Sequence, residues 1–283
     1  MPEWIIHILE TPAEMIAVEE LQRLVWSAPD IEVVPKDLLL AIAHNGGLVI
    51  GAFVGPMLVG ATFGFPSFYI TPDGPRLKHH SHILAVHPDW CSKGIGFALK
   101  RAQWQMVRQQ GLDRITWTYD PLMSRNAHLN IARLGAVCDT YLRSEYGEML
   151  DGLNAGLPSD RFQVDWWLQS QRVERRLSRR SRPTLSLDHY RLAGSTILET
   201  LRNPQSMPYP PQEINPLSGT FVLVEIPYDF QALKAADLAL ARDWRFYARE
   251  VFEDAFAAGY LVTDFLLDQG RSFYGMTHGE TTL

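Results

Sequence analysis

The chain opens with an apolar run, Trp4-Ile-Ile-His-Ile-Leu9, whose length suits a short strand. Thr11-Pro12-Ala13-Glu14 then carries the signals of a helix start. Thr11 can cap, Pro12 suits the first helical position, and Glu14 closes a capping box. Met15, Val18, Leu21 and Val25 follow at helical spacing. A second helix is predicted from Pro35 to Ala43, stopped by Asn45-Gly46. Leu48–Val54 and Met57–Phe65 are β-rich runs joined by Gly55-Pro56, which predicts a hairpin. His82–Val86 reads as a further strand. Gly94–Gln110 reads as a helix with Ile95, Leu99, Ala102 and Met106 on one face, ended by Gly111. Arg114–Tyr119 is a predicted strand, and Asn126–Leu134 a short helix ended by Gly135. Val137–Leu142 and Phe162–Leu168 are predicted strands. The order β-α-α-β-β-β-α-β-α-β predicts a mixed α/β domain.

The pattern changes at residues 171–183, where arginines 172, 175, 176, 179, 180 and 182 precede Pro183. This stretch is read as a basic helix end or linker, with one domain over 1–170 and a smaller α/β region over 184–283. A Pro-rich loop runs from Pro204 to Pro216, and Phe221–Ile226 reads as a strand. Gln231–Ala258 is predicted as one long helix, with Leu233, Ala236, Leu240, Trp244, Tyr247 and Val251 as its buried stripe. Gly259 ends it, and Tyr260–Leu267 is the next strand. Strand 221–226, helix and strand 260–267 echo strand 82–86, helix and strand 114–119. The C-terminal β-α-β region is thus either a degenerate half-repeat or a generic unit that completes the sheet.

Composition adds bounds. The chain has 283 residues, 46% hydrophobic and 20% charged, enough for a well-buried core without a disulfide or metal staple. A formal net charge of −6 argues against a general nucleic-acid binder. The two cysteines, Cys91 and Cys138, form no CxxC or zinc pattern, which fits a reducing compartment. Residues 1–10 show no basic-then-apolar leader, and no run of about 18 apolar residues predicts a membrane span. A cytoplasmic protein is expected.

The chemistry concentrates in His82-Ile-Leu-Ala-Val-His-Pro-Asp-Trp-Cys-Ser-Lys-Gly-Ile-Gly-Phe-Ala-Leu-Lys100. A strand leads through a short loop into a helix whose start reads Ser-Lys-Gly-Ile-Gly. The first amide groups of a helix lack intrahelical acceptors, and the helix dipole favours an anion there. Gly94 and Gly96 let a pyrophosphate approach the backbone, and Lys93 adds charge. Taken alone, the same glycines fit a tight strand-helix turn. The P-loop pattern is absent, and a dinucleotide fingerprint would need a small residue at Leu99.

Residues 82–135 resemble the acetyl-CoA-binding core of the GNAT N-acetyltransferase superfamily. The family pattern [QR]-x-x-G-x-[GA] corresponds to Cys91-Ser-Lys-Gly94-Ile-Gly96, and its asparagine-led helix to Asn126-Ala-His-Leu-Asn-Ile-Ala-Arg-Leu-Gly135-Ala136. The resemblance covers about residues 1–170. Within the superfamily the chain looks most like a branch carrying Trp-Thr-[FY]-Asp-Pro-Leu, here Trp117–Leu122. It implies a GNAT-like mixed sheet flanked by helices, and transfer of an acetyl or other acyl group from acetyl-CoA or another acyl-CoA. The acceptor would be a small-molecule or peptide amine. The pyrophosphate would lie on the amides of Cys91, Ser92, Lys93, Gly94, Ile95 and Gly96. The pantetheine arm would run along Leu84, Ala85 and Val86, and Asn126 would contact it. Two departures stand out. Cys91 replaces an arginine or glutamine, and Ile131 stands where many members carry an acidic tyrosine. The second departure keeps a non-catalytic acyl-CoA-binding or regulatory module in view.

The remaining candidates each have two readings. His82 is a base acting directly or through water, or a hydrogen-bonded strand histidine. Asp120 is a base or ammonium binder, or a turn cap before Pro121. Tyr119, Tyr141 and Tyr146 are replacements for the missing acid, or core and rim residues. Asn130 bonds within the site or packs, and Arg125 holds a substrate carboxylate or makes a surface ion pair. His79-His80-Ser81-His82 has no acidic or cysteine partner at metal-motif spacing, so no metal is expected. The arginine run is read as a solvated face. The aromatic stretch Trp244–Phe256 is read as core or a homodimer contact, and the second region as part of an acceptor pocket or dimer.

Overall fold

The structure is a computed structural model that describes residues 3–27, 32–149, 151–152, 154–178, 185–202, 207–212 and 217–279. It divides into two compact units, residues 1–117 with 150–155, and residues 118–149 with 156–283. This division falls within the strand Arg114–Tyr119. Each unit is built on a mixed sheet with helices.

The first unit runs β1 (Ile5–Ile8), α1 (Pro12–Trp26), α2 (Lys36–His44), β2 (Leu48–Val54), β3 (Met57–Thr71), β4 (Gly74–Val86), α3 (Ile95–Gln109) and β5 (Arg114–Tyr119), whose last two residues belong to the second unit. The predicted capping box starts α1: Thr11 Oγ1 accepts from the Glu14 amide, and the Glu14 carboxylate accepts from the Thr11 amide at 2.9 Å. The strand order is β1-β2-β3-β4-β5, antiparallel except for the parallel pair β4–β5. The strands β3 and β4 are longer than the sequence suggested. Their ladder runs from Gly60 opposite Val86 to Thr71 opposite Gly74, turning at Pro72-Asp73. The polar run Arg76–His82 hides the strand because it does not alternate with apolar residues.

The helices α1 and α2 bury Met15, Val18, Leu21 and Leu39 against Leu9, Val49, Ala61, Phe63 and Ala85. Each such side chain contributes roughly 1.5–3 kcal/mol. The deepest residues of α3 are Ile95, Leu99, Lys100, Gln103 and Val107, while the expected Ala102 and Met106 are half-buried. A Cβ at Gly60 would lie 2.8 Å from Ile95 Cγ2, so a glycine in β3 lets the first turn of α3 sit directly on the sheet.

The second unit continues with α4 (Ser124–Ala127), a π-helical segment His128–Arg133, β6 (Val137–Leu142), β7 (Arg161–Trp167), α5 (Gln171–Leu177), α6 (Leu187–Leu192), β8 (Thr196–Leu198), β9 (Leu201–Arg202), β10 (Pro208–Tyr209), β11 (Phe221–Ile226), α7 (Phe230–Ala236), α8 (Leu238–Ala257), β12 (Tyr260–Asp268) and β13 (Arg271–His278). Its main sheet is ordered β7-β6-β12-β13-β11-β8. The single helix expected over 231–258 is two. Asp237 is extended at φ −151° and caps the next helix by accepting from the Leu240 amide at 2.9 Å. The proposed echo is also revised. The strands β4 and β5 pair directly, whereas β13 lies between β11 and β12. What repeats is a helix followed by an antiparallel hairpin, and the two hairpins meet where Val262 lies opposite Cys138.

The arginine stretch has an ordered role. Helix α5 buries Val173 and Leu177 and places two arginines at the end of the π-helical segment. Arg172 Nε donates to Gly135 O at 3.0 Å and Arg176 Nη1 to Ala132 O at 2.7 Å, satisfying carbonyls that a helix end leaves open. The stretch up to Leu177 is thus a helix end, as one of the two readings had it, and Arg172 and Arg176 depart from the solvated face expected of the run. Arg179, Arg180, Arg182 and Pro183 lie outside the described residues, as does most of the Pro-rich stretch over 204–216.

Candidate active site

The central feature of the first unit is an irregularity in β4. Its register with β3 shifts between Phe63–Ile83 and Gly64–Ser81, so His82 is an extra, bulged residue. The parallel ladder to β5 holds His79 opposite Ile115 and His80 opposite Thr116. Both strands continue past these pairs, β4 to Val86 and β5 to Tyr119. The bulge thus follows directly on the pairs of His79 and His80 with β5 and precedes Leu84–Val86.

Gly64 makes the bulge possible. A Cβ there would lie 2.3 Å from His80 O and 2.9 Å from Ser81 Cα. After Val86 the chain makes a 3₁₀ turn, Pro88–Trp90, in which the Cys91 amide donates to Pro88 O at 3.2 Å. Cys91 Sγ turns back to Val86 O at 3.7 Å. Ser92 and Gly94 are both left-handed, at φ 61° and 89°. Gly94 provides no side-chain cap, so the first amides of α3 are left open by helix geometry. The Lys93 ammonium lies 4.5 Å from the centre of the Trp90 ring. The predicted group Leu84, Ala85, Val86 and Ser92–Gly96 is therefore brought together in one strand-turn-helix. The amide of Cys91 is the exception, being spent on the turn.

His82 is solvent-exposed as a residue, yet its ring sits deep enough for burial to lower its pKa below 6.5. His80, 5.9 Å away between ring centroids, is lowered to about 4 by burial and then by the charges of His82, Lys78 and Lys100. Behind the strand lies a polar group that the sequence reading missed. Lys100 Nζ, buried in α3, donates to Ser81 Oγ at 2.9 Å and to Gln103 Oε1 at 2.8 Å, and stands 3.8 Å from the centre of the Trp117 ring. Burial pushes this lysine well below its ordinary pKa. Gln103 Nε2 lies 3.2 Å from Nε2 of His79, whose pKa burial lowers to about 3. A lysine one position from the apolar stripe residue Leu99 was the available signal.

The other candidates lie in the second unit. Asp120 is not the open carboxylate expected of a base. Its Oδ1 accepts from Arg245 Nη1 at 2.9 Å and from the Leu122 amide at 2.9 Å, and its Oδ2 from Arg245 Nη2 at 2.5 Å. It caps a turn and closes a buried ion pair. Tyr141 is likewise committed, donating to Asp160 Oδ2 at 2.9 Å, and burial with the nearby Asp160 charge pushes its pKa up. Burial opposes the charge of Asp160, but Arg249, the Ser144 amide and Tyr141 outweigh it and hold its pKa low. Tyr119 is buried, with its hydroxyl 3.1 Å from that of Tyr274. Neither tyrosine is an open proton donor. Tyr146 is exposed, its hydroxyl 2.7 Å from Thr118 Oγ1. Arg125 and Asn126 are exposed on α4, while Asn130 is buried in the π-helical segment. Ile131 is fully buried, so no phenol stands at that position.

Helix α8 supplies the partners that sequence reasoning missed. Arg245, Arg249 and Glu253, spaced four apart on one helix face, pair with Asp120, Asp160 and Arg143. Among the described residues no three His, Cys, Asp or Glu side chains group to hold a metal ion, and no helix is long and apolar enough to cross a membrane.

No family model matches the chain, and no curated protein does. Among solved structures it is similar to the ribosomal-protein-S18-alanine N-acetyltransferase of Escherichia coli, with 15% identity and a TM-score of 0.45 over 59% of this chain and 96% of that one. An aminoglycoside 6'-acetyltransferase type Ii matches with 16% identity and a TM-score of 0.45, over 59% and 99%. A GNAT-family acetyltransferase of Streptococcus pneumoniae matches with 14% identity and a TM-score of 0.43, over 58% and 98%.

Proposed function

We propose that the chain transfers an acetyl, or other acyl, group from acyl-CoA to an amine by direct attack. The observation that carries this reading is the bulge at His82, just past the β4–β5 pairs, followed by an uncapped, glycine-started helix. The amides of Ser92–Gly96 and the Lys93 ammonium would hold the pyrophosphate, and the bordering backbone of Leu84–Val86 would pair with the pantetheine arm. A main-chain amide of β4 would polarise the thioester carbonyl.

In the reaction the amine nitrogen forms a bond to the thioester carbon, the carbon–sulfur bond breaks, and sulfur leaves as thiolate with the bonding pair. The nitrogen gives up a proton. His82, uncharged at neutral pH because burial lowers its pKa, is suited to receive it directly or through one water, as a base placed at the β4 bulge. That proton can then pass to the thiolate. Neither Tyr141 nor Asp120 is assigned a proton-transfer role, since both are held by other partners. The fully buried Ile131 at the usual acid position favours a second reading, an acyl-CoA-binding module without turnover.

Calorimetric titration with acetyl-CoA, followed by an assay of thiol release with a panel of amines, tests both. Saturable binding with turnover lost in His82→Ala supports the enzyme. Binding without turnover supports the module, and no binding to any acyl-CoA rejects both.

A further inference from the structure

The face of the first unit's sheet that carries His82 is lined with rings, and strands β3 and β4 carry no carboxylate. Across the β3–β4 ladder Phe65 lies opposite His80, Ser67 opposite Lys78 and Tyr69 opposite Arg76. Directly opposed residues of an antiparallel ladder share one face. The Phe65 ring is 5.3 Å from that of His80 and 6.3 Å from that of His82, and the rings of Phe63 and His82 are 5.6 Å apart, between centroids. Phe63 is fully buried and floors the group. Phe65 and His80 are half-buried and His82 is exposed, so these rings offer aromatic surface to solvent.

The charged residues of strands β3 and β4 are of one sign. Residues 57–71 and 74–86 contain no aspartate or glutamate; Asp73, in the turn between them, lies 3.8 Å from Arg76. Lys78 and Arg76 supply positive charge, and the Arg114 guanidinium stacks 4.4 Å from the centre of the Tyr69 ring. An amine that passes its proton to His82 must bring its nitrogen within hydrogen-bond reach of that ring, directly or through one water. The rest of such an acceptor then lies along the neighbouring rings. An aromatic body gains ring contacts there. A polycation finds no carboxylate on either strand and meets Lys78 and Arg76 instead.

We infer that the acceptor is an amine borne on an aromatic group, neutral or anionic apart from its reacting nitrogen, and received by Phe65 and His80 beside His82. This rests on the acyl-transfer reading and narrows it. The experiment is thiol release from acetyl-CoA with tyramine, phenylalaninamide and spermidine as acceptors, alongside acetyl-CoA affinity by calorimetry. The two aromatic amines are expected to show kcat/KM about tenfold or more above spermidine. Phe65→Ala should raise KM for tyramine roughly three- to tenfold with acetyl-CoA affinity unchanged. Phe65→Leu, which keeps an apolar residue in the strand, should show the same split if the alanine variant folds poorly. Lys78→Glu should raise kcat/KM for spermidine, an effect that loss of packing cannot produce. A wild-type preference for spermidine, or an unchanged tyramine KM in both Phe65 variants, overturns the acceptor class while acyl transfer stands. Absence of acetyl-CoA binding overturns the transfer reading and the acceptor class with it.

Discussion

Arg245 grips Asp120 with both terminal nitrogens, at 2.9 and 2.5 Å, and its side chain is only 2% exposed. Burial works against the guanidinium charge, and the Asp120 carboxylate more than restores it, raising the arginine's pKa. Removing one partner strands the other charge in a poorly solvated place. Arg245→Met is therefore expected to cost about 3–5 kcal/mol, and Asp120→Asn a comparable amount. The double variant Arg245→Met/Asp120→Leu should cost less than the sum. Urea unfolding of the two singles and the double measures the coupling. An Asp120→Asn protein of native stability with lost turnover would instead restore Asp120 to catalysis.

Gly64 is the residue on which the bulge depends. A methyl group there would meet His80 O at 2.3 Å and Ser81 Cα at 2.9 Å, both backbone atoms that cannot rotate away. Gly64→Ala should lower stability by about 1–3 kcal/mol as an overpacking change, and should reduce turnover beyond what the melting shift explains. Gly94→Ala makes a useful contrast. Nothing of the protein lies within 4 Å of its Cβ position, so its stability cost comes only from φ 89° and should be about 1–2 kcal/mol, while acetyl-CoA affinity should fall because the methyl group enters the proposed pyrophosphate site. Thermal melting of both variants with an amine assay separates them. Equal activity in Gly64→Ala and wild type would mean that the bulge does not serve the chemistry.

The parts of the fold that were legible in the sequence are those set by local bonds. Thr11 and Glu14 lie three residues apart, and their reciprocal bonds follow from that spacing alone. Gly94-Ile-Gly96 could be read as a helix start for the same reason. The first half of β4 was hidden because Arg76, Lys78 and the histidines interrupt the apolar alternation along that strand, and its apolar partners lie on β3. The break at Asp237 carried a local sign, an aspartate three residues before Leu240, but the apolar stripe ran through it unbroken and outweighed it. The partner of Asp120 could not be read at all, since Arg245 is 125 residues away and one sequence gives no pairing information. The bulge depends on Gly64 passing close to the far strand, which is equally non-local.

Within the arginine run, position decides importance. Arg176 donates to Ala132 O and, at 3.1 Å, to Asp264, and the missing Cβ of Gly135 lets its stem pass. Arg175 is exposed and, among the described residues, reaches Gln171 at 3.2 Å on its own helix. Arg176→Met should therefore cost about 1–3 kcal/mol, by leaving a helix-end carbonyl without its donor and a carboxylate without its arginine. Arg175→Ala should change stability by less than about 0.5 kcal/mol. Chemical denaturation distinguishes the two, and equal effects would mean the run acts only through net charge.

The histidines of β4 fix the direction of the pH dependence. Each has a folded pKa below the unfolded value near 6.5: His79 at about 3, His80 at about 4, and His82 lowered, all chiefly by burial. Above pH 6.5 they are neutral in both states and contribute no slope. As pH falls below 6.5 the unfolded chain binds protons that the folded chain refuses, so stability drops until the folded values are reached. For the fully buried His79 the loss by pH 5 is about 2 kcal/mol, and for the part-exposed His80 less. The interval from pH 6.5 to 5 lies above ordinary carboxylate titration, so the histidines dominate there. Melting temperature should fall across that interval, and His79→Gln should flatten the fall. The amine-transfer rate should lose its acid limb in His82→Asn. A wild-type melting temperature that stays constant from pH 7 to pH 5 would mean these rings take protons as readily folded as unfolded, and His82 would then lose the depressed pKa on which its role as a neutral base depends.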